Sequence, residues 1–263
     1  DYRSMMLTAD GLGEHISGAI LFDETIRQFT PDGQRLVDAM NAAGVLPGIK
    51  VDKGAKALAG FEGEKVTEGL DGLRERLAEY RDLGARFTKW RAVLHIGDHR
   101  PTGYAVDVNA HALARYAALA QEAGLVPIVE PEVLMDGDHD IDACFDATEA
   151  TLREVFHQLA QHGVDLEGMI LKPNMVLSGS EASDRAAPEV VAEMTLTCFL
   201  RTVPAAVPGI AFLSGGQSDE EATLNLDAIN RMADDVGAPW RLTFSYGRGL
   251  QAAPQQEIGR AHV

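Results

Sequence analysis

Positive charge is scarce in this chain. Lys and Arg number 23 against 40 Asp and Glu, which leaves a formal net charge of −17. That balance argues against nucleic acid or a membrane as a partner, although a cleft of opposite local sign can still take an anionic small substrate. Cysteine is scarce too. Cys144 and Cys198 fall in separate helical patterns, and two do not make a disulfide framework, so a reducing cytoplasm is the simpler setting. No run is apolar enough to span a bilayer, and no signal-peptide pattern opens the chain. No glycine-rich dinucleotide fingerprint follows the first strand-like run, which lowers the Rossmann reading. The eight histidines show no H-E-x-x-H pairing, and His95, His99 and His139 are scattered, so no metal centre and no cofactor are expected. Asp136, Asp138, Asp140 and Asp142 alternate as calcium ligands would. An EF-hand loop needs glycine and glutamate where this chain has Ile141 and Ala147, so the stretch reads as a solvated acidic loop.

What is present is regular. The 263 residues, 46% of them hydrophobic, suffice for one large domain. The chain begins with what looks like the end of a helix over residues 1–10. Strands are predicted at Gly18–Phe22, Leu46–Val51, Phe87–Ile96, Leu125–Glu130, Gly168–Lys172, Gly209–Leu213 and Leu242–Tyr246. Helices are predicted between them at Pro31–Ala43, Glu64–Leu83, Asn109–Ala123, Asp142–Gln161, Pro188–Arg201 and Asp219–Asp235. Strict alternation of buried strands with helices implies a parallel sheet covered by helices. Polar residues recur at the C-terminal ends of the strands: Lys50, Lys89, Glu130, Lys172, Ser214 and Arg248. That is where a (β/α)8 barrel builds its site, although seven strands are found where a closed barrel has eight.

The stretch Gly168–Val176 carries the most chemistry. Met169 to Leu171 is a short apolar run closed by Lys172 and Pro173. A lysine with its stem in apolar surroundings can lose its charge near neutral pH and act as a nucleophile; the alternative is a strand-end lysine in water. Glu130 and Glu132 flank Pro131 and share a face if the stretch is extended. They read either as an acid–base pair or as a solvated acidic loop. Lys89 and Arg91 share a face on the same grounds, as do Lys50 and Asp52, and a cation near Lys172 would disfavour its ammonium form. Ser214-Gly215-Gly216-Gln217-Ser218 opens a helix and offers backbone N–H groups to a phosphate, while Ser245-Tyr246-Gly247-Arg248 adds an arginine fork.

Taken together, GIKVDKG (48–54), KWRAVLHIGDH (89–99), VPIVEPEVL (126–134), LEGMILKPNMV (166–176), FLSGGQS (212–218) and LTFSYGR (242–248) resemble class I fructose-1,6-bisphosphate aldolase, the Schiff-base type. The resemblance implies an α/β (β/α)8 TIM barrel, a homotetramer, no metal, and reversible cleavage of fructose 1,6-bisphosphate in glycolysis and gluconeogenesis. It assigns Lys172 as the Schiff-base lysine, Glu130 as the proton-transfer carboxylate, and Glu132 and Lys89 as its partners. Ser214, Gly215, Gly247 and Arg248 would bind the ketose-side phosphate, and Lys50 and Arg91 would line the other end of the sugar. The family's first strand, with its L-A-A-D-E-S segment and active-site aspartate, is expected upstream of Asp1. Residues 1–255 are therefore read as a partial barrel domain, and the chain as given as an inactive fragment or a scaffold keeping the fold. Residues 256–263 are read as a non-homologous tail, because Ile258–Val263 matches one reading frame of a common sequencing-adapter oligonucleotide and has no helical apolar stripe.

Overall fold

The computed structural model describes residues 2–247, 250–252 and 255–257. Its centre is a parallel sheet of seven strands: β1 (Gly18–Leu21), β2 (Leu46–Lys50), β5 (Phe87–Leu94), β6 (Val126–Val133), β7 (Ile170–Leu171), β8 (Gly209–Phe212) and β9 (Arg241–Phe244), neighbours in that order. A small antiparallel hairpin, β3 (Ala55–Ala57) with β4 (Lys65–Thr67), sits between β2 and β5 in the chain. Short helices α1 (Tyr2–Leu7), α2 (Leu12–His15) and α3 (Asp23–Ile26) flank β1. The longer ones follow the later strands: α4 (Leu36–Ala42), α5 (Leu73–Leu83), α6 (Gly103–Glu122), α7 (Ile141–Gln161), α8 (Pro188–Thr202) and α9 (Asp219–Val236).

Each strand divides its residues between two environments by the period of two. Ile49, Val51, Trp90, Ala92, Val129, Leu171, Ile210 and Phe212 join the apolar core beneath the helices. Lys50, Lys89, Glu130 and Lys172 occupy the alternate positions and so face the other way. One cluster fixes the centre of the sheet. The Trp90 and Tyr116 rings stack with centroids 5.6 Å apart, an arrangement worth about 0.5–1.5 kcal/mol beyond burial. The Tyr116 hydroxyl is 2.8 Å from Thr88 Oγ1 and donates to the Ile128 carbonyl at 3.2 Å, which ties α6 to β5 and β6 at once.

Helix starts follow their caps. Thr102, Asp140 and Ser218 accept from backbone N–H groups of Ala105, Ala143 and Glu221, and Pro188 opens α8 where its missing N–H costs nothing.

The seven expected strands are present, but several bounds differ from the sequence reading: the helix expected over Pro31–Ala43 begins at Leu36, that over Asn109–Ala123 begins at Gly103, and the strand expected over Leu125–Glu130 runs to Val133. The helix expected over Glu64–Leu83 begins only at Leu73. Gly69 and Gly72 adopt φ of 127° and 63°, which breaks any helix upstream, and Lys65–Thr67 is a strand instead. The Asn109 side chain decides this by accepting from Thr67 N at 3.2 Å and donating to the Lys65 carbonyl at 2.8 Å. The strand expected over Gly168–Lys172 shrinks to Ile170–Leu171 behind a 3-10 turn at Leu166–Gly168, although Lys172 N still donates to the Val129 carbonyl at 2.8 Å. The four alternating aspartates are exposed, and Asp140 serves as the α7 cap.

Candidate active site

The acidic and basic residues of β2, β5, β6 and β7 meet on the face opposite the helices. Glu130 is their centre. Its Oε1 lies 3.2 Å from Lys172 Nζ and its Oε2 lies 2.9 Å from Lys89 Nζ. All three residues are buried, with relative exposures of 3% for Glu130, 7% for Lys89 and 8% for Lys172. Glu132, also buried and two residues along β6, pairs with the guanidinium of the more exposed Arg91. Asp52 pairs with Lys50 and accepts from the Arg91 backbone N–H at 3.2 Å, so it joins β2 to β5. Lys50 Nζ also lies 5.9 Å from the centre of the Phe22 ring.

Charge removed from water must be compensated, and here each carboxylate has a cation. The compensation at Lys172 is partial. Burial pushes its amine below the ordinary lysine value; the Glu130 carboxylate pulls it back up, and the Lys89 ammonium pushes it down again. A lysine in this setting spends more of its time as a free amine and is the more nucleophilic for it.

The turn after β8 lies at the same ends of the strands. Gly215 and Gly216 adopt φ of 62° and 92°, a left-handed pair that only glycine takes without strain. Gln217 N donates to the Ser214 carbonyl at 3.0 Å and closes the turn, and Ser218 starts α9. Ser214 and Gly215 are half-buried in the turn four and three residues before Ser218, the cap of α9. Gly247 is exposed beyond β9, and Arg248 falls outside the described residues. Among the described residues, no group of three or more His, Cys, Asp or Glu side chains is arranged to hold a metal ion.

Sequence reasoning left Asp52 without a role and missed Asn174. Asn174 is buried, with its amide bonded on both sides. The available signal was its place as a polar residue in the run Met169–Leu177, where a buried amide needs partners.

Comparison with known proteins places this arrangement. The family model described as fructose-bisphosphate aldolase class-I matches residues 1–259. The chain belongs to the class I fructose-bisphosphate aldolase family. Among curated relatives, the probable fructose-bisphosphate aldolase class 1 of Xanthomonas axonopodis pv. citri is 58% identical over 252 residues, which span 96% of this chain and 75% of that protein. The cytosolic fructose-bisphosphate aldolase 4 of Arabidopsis thaliana is 55% identical over 257 residues, spanning 98% of this chain and 65% of that one. The Plasmodium falciparum aldolase, solved in complex with TRAP and a small-molecule inhibitor, superposes with a TM-score of 0.93 at 48% identity, covering 96% of this chain and 72% of that one. The chain therefore has the α/β TIM-barrel fold of that neighbour, with a curled sheet of seven parallel strands among its described residues. No helix among its described residues is long and apolar enough to cross a membrane.

Proposed function

We propose that this aldolase cleaves fructose 1,6-bisphosphate through a Schiff base on Lys172. The observation that carries the reading is Lys172 itself. Its amine is buried, pushed toward the neutral form by that burial, and set 3.2 Å from the Glu130 carboxylate. Neutral Nζ attacks the ketone carbon, and water leaves to give a protonated imine. Glu130 takes the proton of the C4 hydroxyl, the C3–C4 bond breaks, and its electron pair moves into the imine. Glyceraldehyde 3-phosphate departs. The remaining enamine is reprotonated at C3, and water releases dihydroxyacetone phosphate and the free lysine.

The other residues take positioning roles. Lys89 holds Glu130 from the side away from Lys172, and Glu132 steadies Arg91, which with Lys50 lines the far end of the sugar. Ser214 and Gly215 offer the turn before α9 to the ketose-side phosphate, with Gly247 and Arg248 completing that site. Holding both ends of the substrate turns a bimolecular encounter into an oriented one, an effect worth up to about 7–11 kcal/mol. We further infer a cytoplasmic homotetramer, in line with relatives named as cytosolic or cytoplasmic isozymes; light scattering tests the assembly.

The mechanism is tested by incubating the protein with dihydroxyacetone phosphate, reducing with borohydride and mapping the adduct by mass spectrometry. Label on Lys172 is expected. Label on Lys50 or Lys89 with Lys172 clean overturns the assignment, and a protein that takes no label is a scaffold with the family's fold.

A further inference from the structure

The segment that follows Lys172 is buried from Pro173 to Gly179, yet β7 ends at Leu171. Buried backbone outside a ladder must find its partners elsewhere. Here side chains supply them. Thr195 of α8 accepts from Val176 N at 3.0 Å, and Cys144 of α7 accepts from Leu177 N through its sulfur at 3.4 Å. Asn174 does most. Its Oδ1 accepts from Val133 N at 2.9 Å, at the last residue of β6 and directly after Glu132. Its Nδ2 donates to Thr148 Oγ1 of α7 and to the Met175 carbonyl, both at 3.0 Å. One amide thus joins the strand that carries Glu130, the strand end that carries Lys172, and the helix behind them.

We propose that Asn174 is a positioning residue that clamps β6 to the segment after Lys172 and so fixes the lysine amine against the Glu130 carboxylate. The inference rests on the Schiff-base reading of Lys172. Asn174 does not touch substrate in this account; it acts through the two strands. Its amide is matched to the task because an acceptor must face Val133 N while a donor faces Thr148, and only a carboxamide offers both at that reach. An aspartate would keep the acceptor and lose the donor. A leucine of similar volume would leave the buried Val133 N–H without a partner, and Lys172 would be free to drift into water.

The test follows the imine directly. Initial rates of borohydride trapping with dihydroxyacetone phosphate are measured against pH for the wild type, Asn174→Leu, Thr148→Val and Thr148→Ser, beside kcat, KM and thermal melts. Asn174→Leu is expected to trap about 10- to 100-fold more slowly, the scale of a misplaced reacting group, with its pH midpoint moved upward as water reaches the amine. Its kcat falls while KM changes little. Thr148→Val, which loses only the hydroxyl, moves the same quantities in the same direction by less, and Thr148→Ser restores them. If Asn174→Leu does not fold, Thr148→Val against Thr148→Ser decides. Folded variants that trap at the wild-type rate and midpoint overturn the clamp while leaving the Schiff base standing. A wild type that takes no label at Lys172 overturns the Schiff-base reading, and the clamp with it.

Discussion

Replacing Glu130 by glutamine separates the two roles the site asks of one carboxylate. Glu130 sits between two ammonium groups, 2.9 Å from Lys89 and 3.2 Å from Lys172, with almost no exposure. At 3.2 Å and an effective dielectric constant of about 20, a unit pair interacts by about 5 kcal/mol. Glu130→Gln removes that attraction for both lysines and leaves two like charges facing each other. Removing one partner of a buried pair typically costs about 3–5 kcal/mol, and part of it is recovered if Lys172 gives up its proton. The sign for Lys172 is then fixed. Burial and Lys89 lower its amine, and Glu130 is the foremost group opposing them, ahead of Glu132, so its loss moves the trapping midpoint to lower pH. Imine formation therefore persists at neutral pH. Turnover should not, because the proton acceptor for bond cleavage is gone, and such a group contributes about 10²–10⁴-fold. The assay pairs borohydride trapping across pH with steady-state cleavage of fructose 1,6-bisphosphate. A midpoint that rises, or a kcat within tenfold of wild type, refutes the reasoning.

Other outcomes follow from the same proposed site and from the packing around it. Lys172→Met should abolish trapping and also flatten stability against pH. In the wild type, the folded state sheds this proton before the unfolded chain does, so stability rises with pH between the lowered folded value and about 10.4. Denaturant titrations that give both proteins the same slope in that window would contradict the shift. Gly179→Ala should cost about 1–3 kcal/mol, because a Cβ there would stand 2.2 Å from the Gly137 carbonyl oxygen, which is backbone and cannot turn away; an unchanged melting temperature argues against that packing. Arg248→Ala should raise KM for the bisphosphate far more than it lowers the melting temperature, through loss of the guanidinium fork; equal losses would make the residue structural. Cys144 and Cys198 are both buried, so a thiol reagent should count none in the native protein and two in denaturant; fast native labelling of either contradicts their burial.

The fold was legible because its central strands, β5, β6 and β8, are buried on both faces and its helices are not. Runs such as Leu125–Val129 and Gly209–Phe212 are apolar without alternation, and that pattern belongs to parallel sheets. The hairpin was not legible. Its strands are three residues long, too short to show a period, and Glu64-Lys65 reads as helix former until Asn109 from another element claims the backbone. The identity of the polar strand residues was equally plain, and their pairing was not. In the ladder Arg91 stands opposite Glu130, yet Arg91 reaches Glu132 while Glu130 takes Lys89 and Lys172. Period two fixes the face of each residue; which diagonal neighbours touch depends on how the sheet coils, a property of the whole assembly of strands.

The charges on that face bring the chemistry and the composition together. Lys50, Lys89, Arg91 and Lys172 share it with Asp52, Glu130 and Glu132, so four cations meet three carboxylates inside a chain of net charge −17. With Lys172 protonated the group carries one positive charge in excess; with Lys172 neutral it balances, which is the state a desolvated cluster favours and the state a nucleophile needs. A phosphate dianion brought close to Nζ would undo this by favouring the ammonium form. The proposed ketose-side phosphate site would have to offset that cost with donors of its own. At the turn after β8 the dianion would meet backbone N–H groups, which can bind it without giving up or taking a proton. In the proposed complex, Arg91 and Lys50, each already paired with a carboxylate, would face the other end of the sugar as fixed charges. On the proposed reading, the site would hold a highly anionic substrate on an acidic protein while burial and Lys89 still favour the free-amine form of Lys172.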